Sequence, residues 1–422
     1  MPMQATLTET PCCTISDPDI LRQVNALRQT DNVTNWYYLA REYLFAAFVI
    51  GGAIALYENF WTGLWSLVWL LPMLFVANLC VGATQHRLAT FTHEAAHYVL
   101  FHNRLLNELV SEWFCMFPVL GTTHPYRVQH IGHHQYPNDP ELDPDWTQLR
   151  LSGHRFTFPM TVGQFLWHCF FKQFLWSPNL LRYVLVRASF KVDQGSASYR
   201  MKRHATPILK LMGLGYHVAL VGVLVWCVWQ NDLLLAVWLP AAMLMTILGI
   251  LTFAPERWFA DYGIKSDIPV RWQGAMRIAF NTMLWTGLTL LSLVTGKPWW
   301  GYYFVLWMVP LGTSFAFFMI LRQIVQHGNA DRERFTNTRV FLVNKLIRLA
   351  VFPIGNDYHL PHHLFMMVPH YNLAKLHELL MQTEPYRSQA TVVTGYFFHA
   401  EQPPEHPTVV DLMTREMTTS AS

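Results

Sequence analysis

The chain has 422 residues, of which 52% are hydrophobic, 15% aromatic and only 14% charged, against roughly 25% charged in an ordinary soluble domain. With a mean hydropathy of +0.19, 17 tryptophans and a formal net charge of +3, it is not a disordered chain, a fibrous repeat or a typical cytosolic enzyme. The small net charge also gives no reason to expect a nucleic-acid partner.

The N-terminal arm, residues 1–35, is polar and carries acidic residues early, so no cleaved leader is apparent and the arm is expected in the cytosol. Cys12 and Cys13 are adjacent, while Cys80, Cys115, Cys169 and Cys227 are scattered. Without a CxxC pair, neither a disulfide framework nor a thiolate metal site is indicated. Acylation of Cys12 or Cys13 is the one modification this pattern admits.

A bilayer core of roughly 30 Å takes about 20 mostly apolar residues per helix. Apolar stretches at 61–82, 211–229, 233–254, 278–296 and 298–321 meet or approach that length. A shorter one at 43–57 can lengthen toward Trp36, with Arg41 and Glu42 at the interface. Very short connections join them, so the spans read as helical hairpins. Pro240 and Pro310 lie inside spans and predict kinks. Lys and Arg concentrate in the arm, the 83–210 loop, the 255–277 loop and the C-terminal region, with only Lys297 opposite. Both termini and the long loop are therefore expected on the cytosolic side.

The predicted fold is an all-α polytopic membrane protein. It has about six spans, at least four, beneath a cytosolic histidine-rich cap. Residues 36–383 form the membrane domain and residues 384–422 a cytosolic extension. The aromatic stretch 165–186 is expected to lie in the interface as one amphipathic helix.

Three histidine clusters follow on one predicted side: His93-Glu94-Ala95-Ala96-His97, His130-Ile131-Gly132-His133-His134 and His359-Leu360-Pro361-His362-His363. Residues at i, i+3 and i+4 share a helix face, so each cluster can aim its imidazoles into one pocket. Neutral imidazole is a common ligand of iron, zinc and copper, and the residues alone do not choose among these. Eight imidazoles exceed what one ion holds, which points to two ions close together. The histidines outside the clusters, among them His154, His217 and His370, read as hydrogen-bonded or solvated side chains. The first cluster also fits the zinc-protease pattern with Glu94 as general base. That chemistry needs only one more ligand and leaves both HxxHH clusters surplus.

In these motifs the chain resembles the membrane fatty acid desaturase and hydroxylase superfamily over roughly 85–380. The resemblance rests on the three clusters in order, with Phe101 and Asn107 after the first, Tyr126-Arg127 before the second and Val368-Pro369-His370-Tyr371-Asn372-Leu373 after the third. It implies that the clusters hold two iron ions. It adds His327, between the last span and the third cluster, as a further ligand, and Asn356 as a water-mediated contact. The family often has glutamate where this chain has Pro361, so Asp357 is a candidate to replace that carboxylate. Proline is acceptable in the first turn of a helix. Ligated imidazoles usually donate their other N–H to a carboxylate or carbonyl, and Glu94, Asp139, Glu141, Asp143 and Asp145 are the nearest candidates.

The resemblance implies an oxidoreductase that uses O2 and two external electrons to desaturate a long-chain acyl lipid. A hydroxylase of a lipid or carotenoid with the same site, or a zinc-dependent membrane hydrolase, is the alternative. No dinucleotide fingerprint, iron–sulfur cysteine set or His-Pro-Gly-Gly haem motif is present. A separate ferredoxin or cytochrome b5 is therefore expected, docking on basic residues at 199–203 or 332–339. A metal transporter would need polar residues along the spans, and His217, Asn78 and Asn281 are too few.

Overall fold

The computed structural model describes residues 15–60, 64–175, 178–189 and 202–416; Cys12, Cys13 and residues 199–201 lie outside them. Helix α1 (Pro18–Leu27) is capped by Asp17, whose side chain accepts from the backbone N–H of Asp19 at 2.8 Å. Its buried Ile20 and Val24 join a cluster with Leu373, Leu376 and Leu380 of the helix Leu373–Leu380. Part of the N-terminal arm is thus folded onto the C-terminal half.

Six described helices are long and apolar enough to cross a membrane. The first two are α2 (Thr34–Phe60) and α3 (Leu64–Ala96). The long loop follows and contributes the shorter helices α4 (Thr123–Gln135) and α5 (Pro178–Ser189). The other four spans are α6 (Pro207–Gln230), α7 (Leu233–Phe253), α8 (Val270–Thr295) and α9 (Trp299–His327). Helix α2 packs on α3, α7 packs on both α6 and α8, and α3 also packs on α9.

The expected span at 61–82 runs on to Ala96. Its 33 residues make a rod about 50 Å long, some 20 Å beyond a bilayer core. The polar continuation is satisfied by other segments. Arg87 pairs with Glu42 of α2 and donates to Leu349 O at 3.2 Å. Gln85 donates to Trp307 O at 2.8 Å, and His86 Nδ1 lies 2.8 Å from Ala350 O. Helix α3 therefore carries His93 clear of the apolar region. Around Pro310, α9 adopts π turns at Phe304–Met308 and Leu311–Phe315; proline supplies no N–H for the i→i−4 ladder. Pro240 lies inside α7, and Pro72 inside α3.

Gly82 sets how closely α3 and α9 approach. A Cβ there would stand 2.0 Å from Ser314 Oγ and 2.7 Å from the backbone N of Phe315. The same crossing is tied by Ser314 Oγ donating to Asn78 O at 2.7 Å and by Asn78 Nδ2 donating to Thr313 Oγ1 at 3.0 Å.

One expectation differs from the structure. The stretch 165–186 is not one helix. It is broken into Val162–Leu166, a π turn Trp167–Phe171, Lys172–Leu175 and α5, with Pro178 opening the last. Beyond Glu384 the described residues, up to 416, pack against the rest of the chain. Strand β1 (Val340–Phe341) pairs in parallel with β2 (Val392–Val393). The helix Val409–Thr414, closed by a Thr408–Asp411 capping box, buries Val409, Val410 and Met413 in the cluster that holds Phe165 and Ile320. These apolar side chains gain more from burial than a solvated tail would allow.

Candidate metal centre

Four helix ends converge on one end of the bundle. The end of α3 brings His93 and, one residue beyond it, His97; α4 brings His130, His133 and His134; α9 ends on His327; and α10 (His359–Leu364) brings His359, His362 and His363. Pro361 sits in the first turn of α10, where its missing N–H leaves no bond unmade.

The nine imidazoles sort into two groups. His93, His97, His130, His134 and His362 form one; His133, His327, His359 and His363 form the other. Within each, one nitrogen per ring lies within 4.8 Å of all the others. Helix periodicity explains the sorting. Residues i and i+4 are about 40° apart around the axis, whereas i+3 falls on the other side of i. Thus His130 and His134 enter the first group and His133 the second, while His359 and His363 enter the second and His362 the first. The two HxxHH helices exchange ligands in opposite senses.

The nitrogen spacings suit a shared cation. Nε2 of His130 lies 2.8 Å from that of His97 and 3.0 Å from that of His134, which lies 3.1 Å from that of His362. In the other group, His359 Nε2 is 2.9 Å from His327 Nε2 and 3.2 Å from His363 Nε2. Metal–nitrogen bonds of about 2.0–2.1 Å at right angles put neighbouring nitrogens about 3 Å apart. Nε2 of His93 is buried without a hydrogen-bond partner among the described residues, although its ring lies 4.3 Å from that of His362 and 4.4 Å from that of His130. A bound cation would answer that atom.

Several rings are fixed from their Nδ1 side. Both carboxylate oxygens of Asp143 lie 3.0 Å from His133 Nδ1. His327 Nδ1 lies 3.1 Å from Asn138 Oδ1 and 3.3 Å from Asn337 O, and His93 Nδ1 lies 3.2 Å from Glu94 Oε1. Each partner is an acceptor, so Nδ1 carries a proton and Nε2 is the nitrogen left for a cation. Burial drives the imidazolium forms of His130, His134, His359, His362 and His363 well below their ordinary range, and that of His97 to about 3. These rings are neutral at physiological pH, the form a cation requires. His133 goes the other way. Burial opposes its charge, but Asp143 and Asp145 beside it outweigh that and push it up to about 9.

The remaining expected site residues divide. Glu94 touches His93, and its other oxygen accepts the backbone N–H of His370 at 2.8 Å. Asn356 lines the histidine chamber and holds Gln326 through its carbonyl at 2.8 Å. Asp139 instead pairs with Arg332 at 3.0 Å, and Asp357 with Arg348 at 2.8 Å. The contact with a histidine expected of Asp139 is made by Asp143, four residues on. Arg339 was a candidate for carrier docking, but it is buried and donates to the carbonyls of Val325, Gly328 and Asn329 at 2.7–2.8 Å, closing the end of α9.

Two further residues position the ligand helices. Buried Arg127 donates to Ala95 O at 2.9 Å and Ala96 O at 3.1 Å, capping α3, and pairs with Glu108. Asn107 accepts from Leu100 N at 3.2 Å and donates to Ala95 O at 3.1 Å, fixing the turn after His97. Both residues belong to the motifs that flank the first two clusters. Asn138, by contrast, carries no sequence signal beyond its place in a polar turn.

A family model described as fatty acid desaturase matches residues 74–263 and 249–395, and the chain belongs to that family. Its six long apolar helices and its histidine clusters able to hold metal accord with that membership. The dihydrorhizobitoxine desaturase of Bradyrhizobium elkanii is 34% identical over 136 residues, covering 32% of this chain and 35% of that relative. The match therefore spans about a third of the relative's length.

Proposed function

We propose that the nine histidines hold a pair of iron ions and that the protein desaturates the acyl chain of an amphiphilic lipid. O2 is the co-substrate, two electrons come from a separate ferredoxin or cytochrome b5, and the site faces the cytosol. The observation that carries this reading is the division of nine imidazoles into two adjacent groups, seven of them standing at Nε2 separations of 2.8–3.2 Å from a neighbour. An iron pair bound there would supply the oxidising power that an unactivated C–H bond demands.

The chain's own residues do the rest. Asp143, Asn138 and Glu94 keep protons on Nδ1 and so aim Nε2. Arg127 and Asn107 lock the end of α3 against α4 and its neighbours. Seven of the nine rings are buried, only His134 and His363 being half-buried, which keeps bulk water from the reacting carbon. In balance, two C–H bonds on adjacent carbons break and a C=C bond forms. O2, two electrons and two protons take up the two hydrogens as two water molecules.

The family is described by fatty acids, whereas the relative is named for dihydrorhizobitoxine; an acyl-bearing amphiphile is the substrate proposed. The zinc-hydrolase alternative asks Glu94 to activate a metal-bound water. Its two oxygens are engaged by His93 Nδ1 and His370 N, on the side of the ring away from Nε2. Mass spectrometry of lipids from cells expressing the wild type, His363→Ala or an empty vector tests the reaction. A product lighter by two hydrogens, present only with the wild type, is expected. A product heavier by one oxygen would replace desaturation with hydroxylation.

A further inference from the structure

Apolar side chains from outside the six spans gather against α9. Leu181 of α5 reaches that helix at Gly312, where a Cβ would stand 3.4 Å from Leu181 Cδ1. The ring of Phe317 lies 6.0 Å from that of Phe170, which lies 5.9 Å from that of Phe397. The bend that carries Phe397 and Phe398 is tightly closed. A Cβ at Gly395 would collide with Phe398 O. Val409 N donates to Gly395 O at 3.0 Å, while His399 Nδ1 lies 3.2 Å from His406 O and His399 Nε2 lies 3.4 Å from Asp411 Oδ2. The bend nevertheless leaves Phe398 85% exposed, and Phe397, Phe171 and Trp167 are exposed with it.

The depth of this patch follows from the crossing of α3 and α9. Gly82 of α3 meets Ser314 of α9, and Gly82 is where the apolar run of α3 gives way to Gln85, His86 and Arg87. Ser314 therefore stands where hydrocarbon gives way to headgroups. Gly312 and Phe317 lie on either side of it, only about 3 and 5 Å along the helix axis. Leu181 and, through Phe170, Phe397 are held at that same boundary. The surface continues into the membrane along α9, where Val309, one turn before Gly312, is exposed. Aromatic rings favour this depth, and a patch of them facing water is unusual. Charge agrees, because residues 162–189 carry Lys172, Arg182 and Arg187 and no acid, a pattern drawn to anionic headgroups.

We propose that the bend at residues 395–399 is a membrane anchor, in which Phe397 and Phe398, beside Trp167 and Phe171, enter the headgroup boundary of the bilayer. Side chains anchored in this way reach about 5–10 Å into the interface. The C-terminal segment is then held from two sides. Lipid holds Phe398, and the protein core holds Val409, Val410 and Met413, which share a cluster with Ile320 of α9. A second copy of the chain would cover the same rings, and the test separates it from lipid.

The test puts an environment-sensitive fluorescent amino acid in place of Phe398 or, as control, of Arg387, which is exposed on the helix Glu384–Gln389. The full chain is reconstituted in vesicles of phosphatidylcholine and phosphatidylglycerol. Unfolding temperatures near wild type show that both labelled proteins fold. Phosphatidylcholine brominated near the headgroup end of its acyl chains should quench the label at 398 severalfold more than the label at 387. Iodide on both sides of the membrane should do the reverse. Equal iodide quenching at the two positions puts the bend in water and overturns the inference. Quenching at 398 by neither agent places a protein surface over Phe398 and overturns it equally.

Discussion

Nε2 of His134 and Nε2 of His362 lie 3.1 Å apart although 228 residues separate them in the chain. Burial holds both rings neutral, so neither contributes an imidazolium, and what they share is a direction toward one point. His327 and His359 show the same closeness, their Nε2 atoms 2.9 Å apart. Pairs of this kind turn histidine clusters far apart in sequence into a candidate metal centre.

Replacing His134 or His363 by alanine is expected to lower product formation at least about a hundredfold, since loss of even an outer partner of a ligand commonly costs 10–100-fold. Both rings are half-buried, so the truncation leaves little enclosed void and the variants should still reach the membrane. Membrane fractionation together with product analysis checks this. Wild-type product from either variant would remove that residue from the ligand set.

Asp143→Asn should cost about 10–100-fold in metal retention or turnover, because the amide no longer supplies the charge that holds the His133 proton. Asp139→Asn is the matched control. Its ion pair with Arg332, 58% exposed, belongs to a class worth about 0–1 kcal/mol, so metal content and turnover should stay near wild type. Titration of both variants with a chelator separates them, and equal sensitivity would contradict the assignment of Asp143.

Gly82→Ala should destabilise by about 1–3 kcal/mol, the usual range for overpacking, because its methyl would meet Ser314 and the backbone of α9. The two helices that must part carry His93 and His327. Metal content should therefore fall with the unfolding temperature, although Gly82 touches no histidine of the centre.

Stability should fall on acidification through a residue outside the two histidine groups. His154 is 4% exposed and hydrogen-bonded to Ser152 Oγ and Gln173 Oε1, both at 2.9 Å. Burial lowers its folded pKa from 6.5 to about 4. Below the ordinary histidine value the unfolded chain takes up a proton that the folded chain refuses. The stabilisation is complete above that pH and drains away toward the folded value, by roughly 3 kcal/mol in all. Unfolding temperatures at about pH 7 and about pH 5 should differ less for His154→Gln than for the wild type.

Much of this architecture is legible in sequence because it rests on periodicity. Apolar runs mark the spans, and HxxHH on a helix forces its rings onto adjoining faces. What stays hidden depends on partners far along the chain. The continuation of α3 past residue 82 looks polar and unsuited to a span until Arg87 meets Glu42 and Gln85 meets Trp307. Asp139, Asp143 and Asp145 are equivalent acids in one run, and only the turn at Asn138, with φ of 63°, decides that Asp143 reaches His133. The C-terminal residues look like a tail because their apolar side chains, such as Val392 and Met413, are few. They bury against elements that the sequence does not place nearby.

Elemental analysis of the purified full chain is the sharpest check on the paired iron centre. Iron should approach two atoms per chain, and it should fall together with turnover in Asp143→Asn. Reproducible absence of iron with one zinc per chain would contradict that centre and return the first histidine cluster to hydrolytic chemistry.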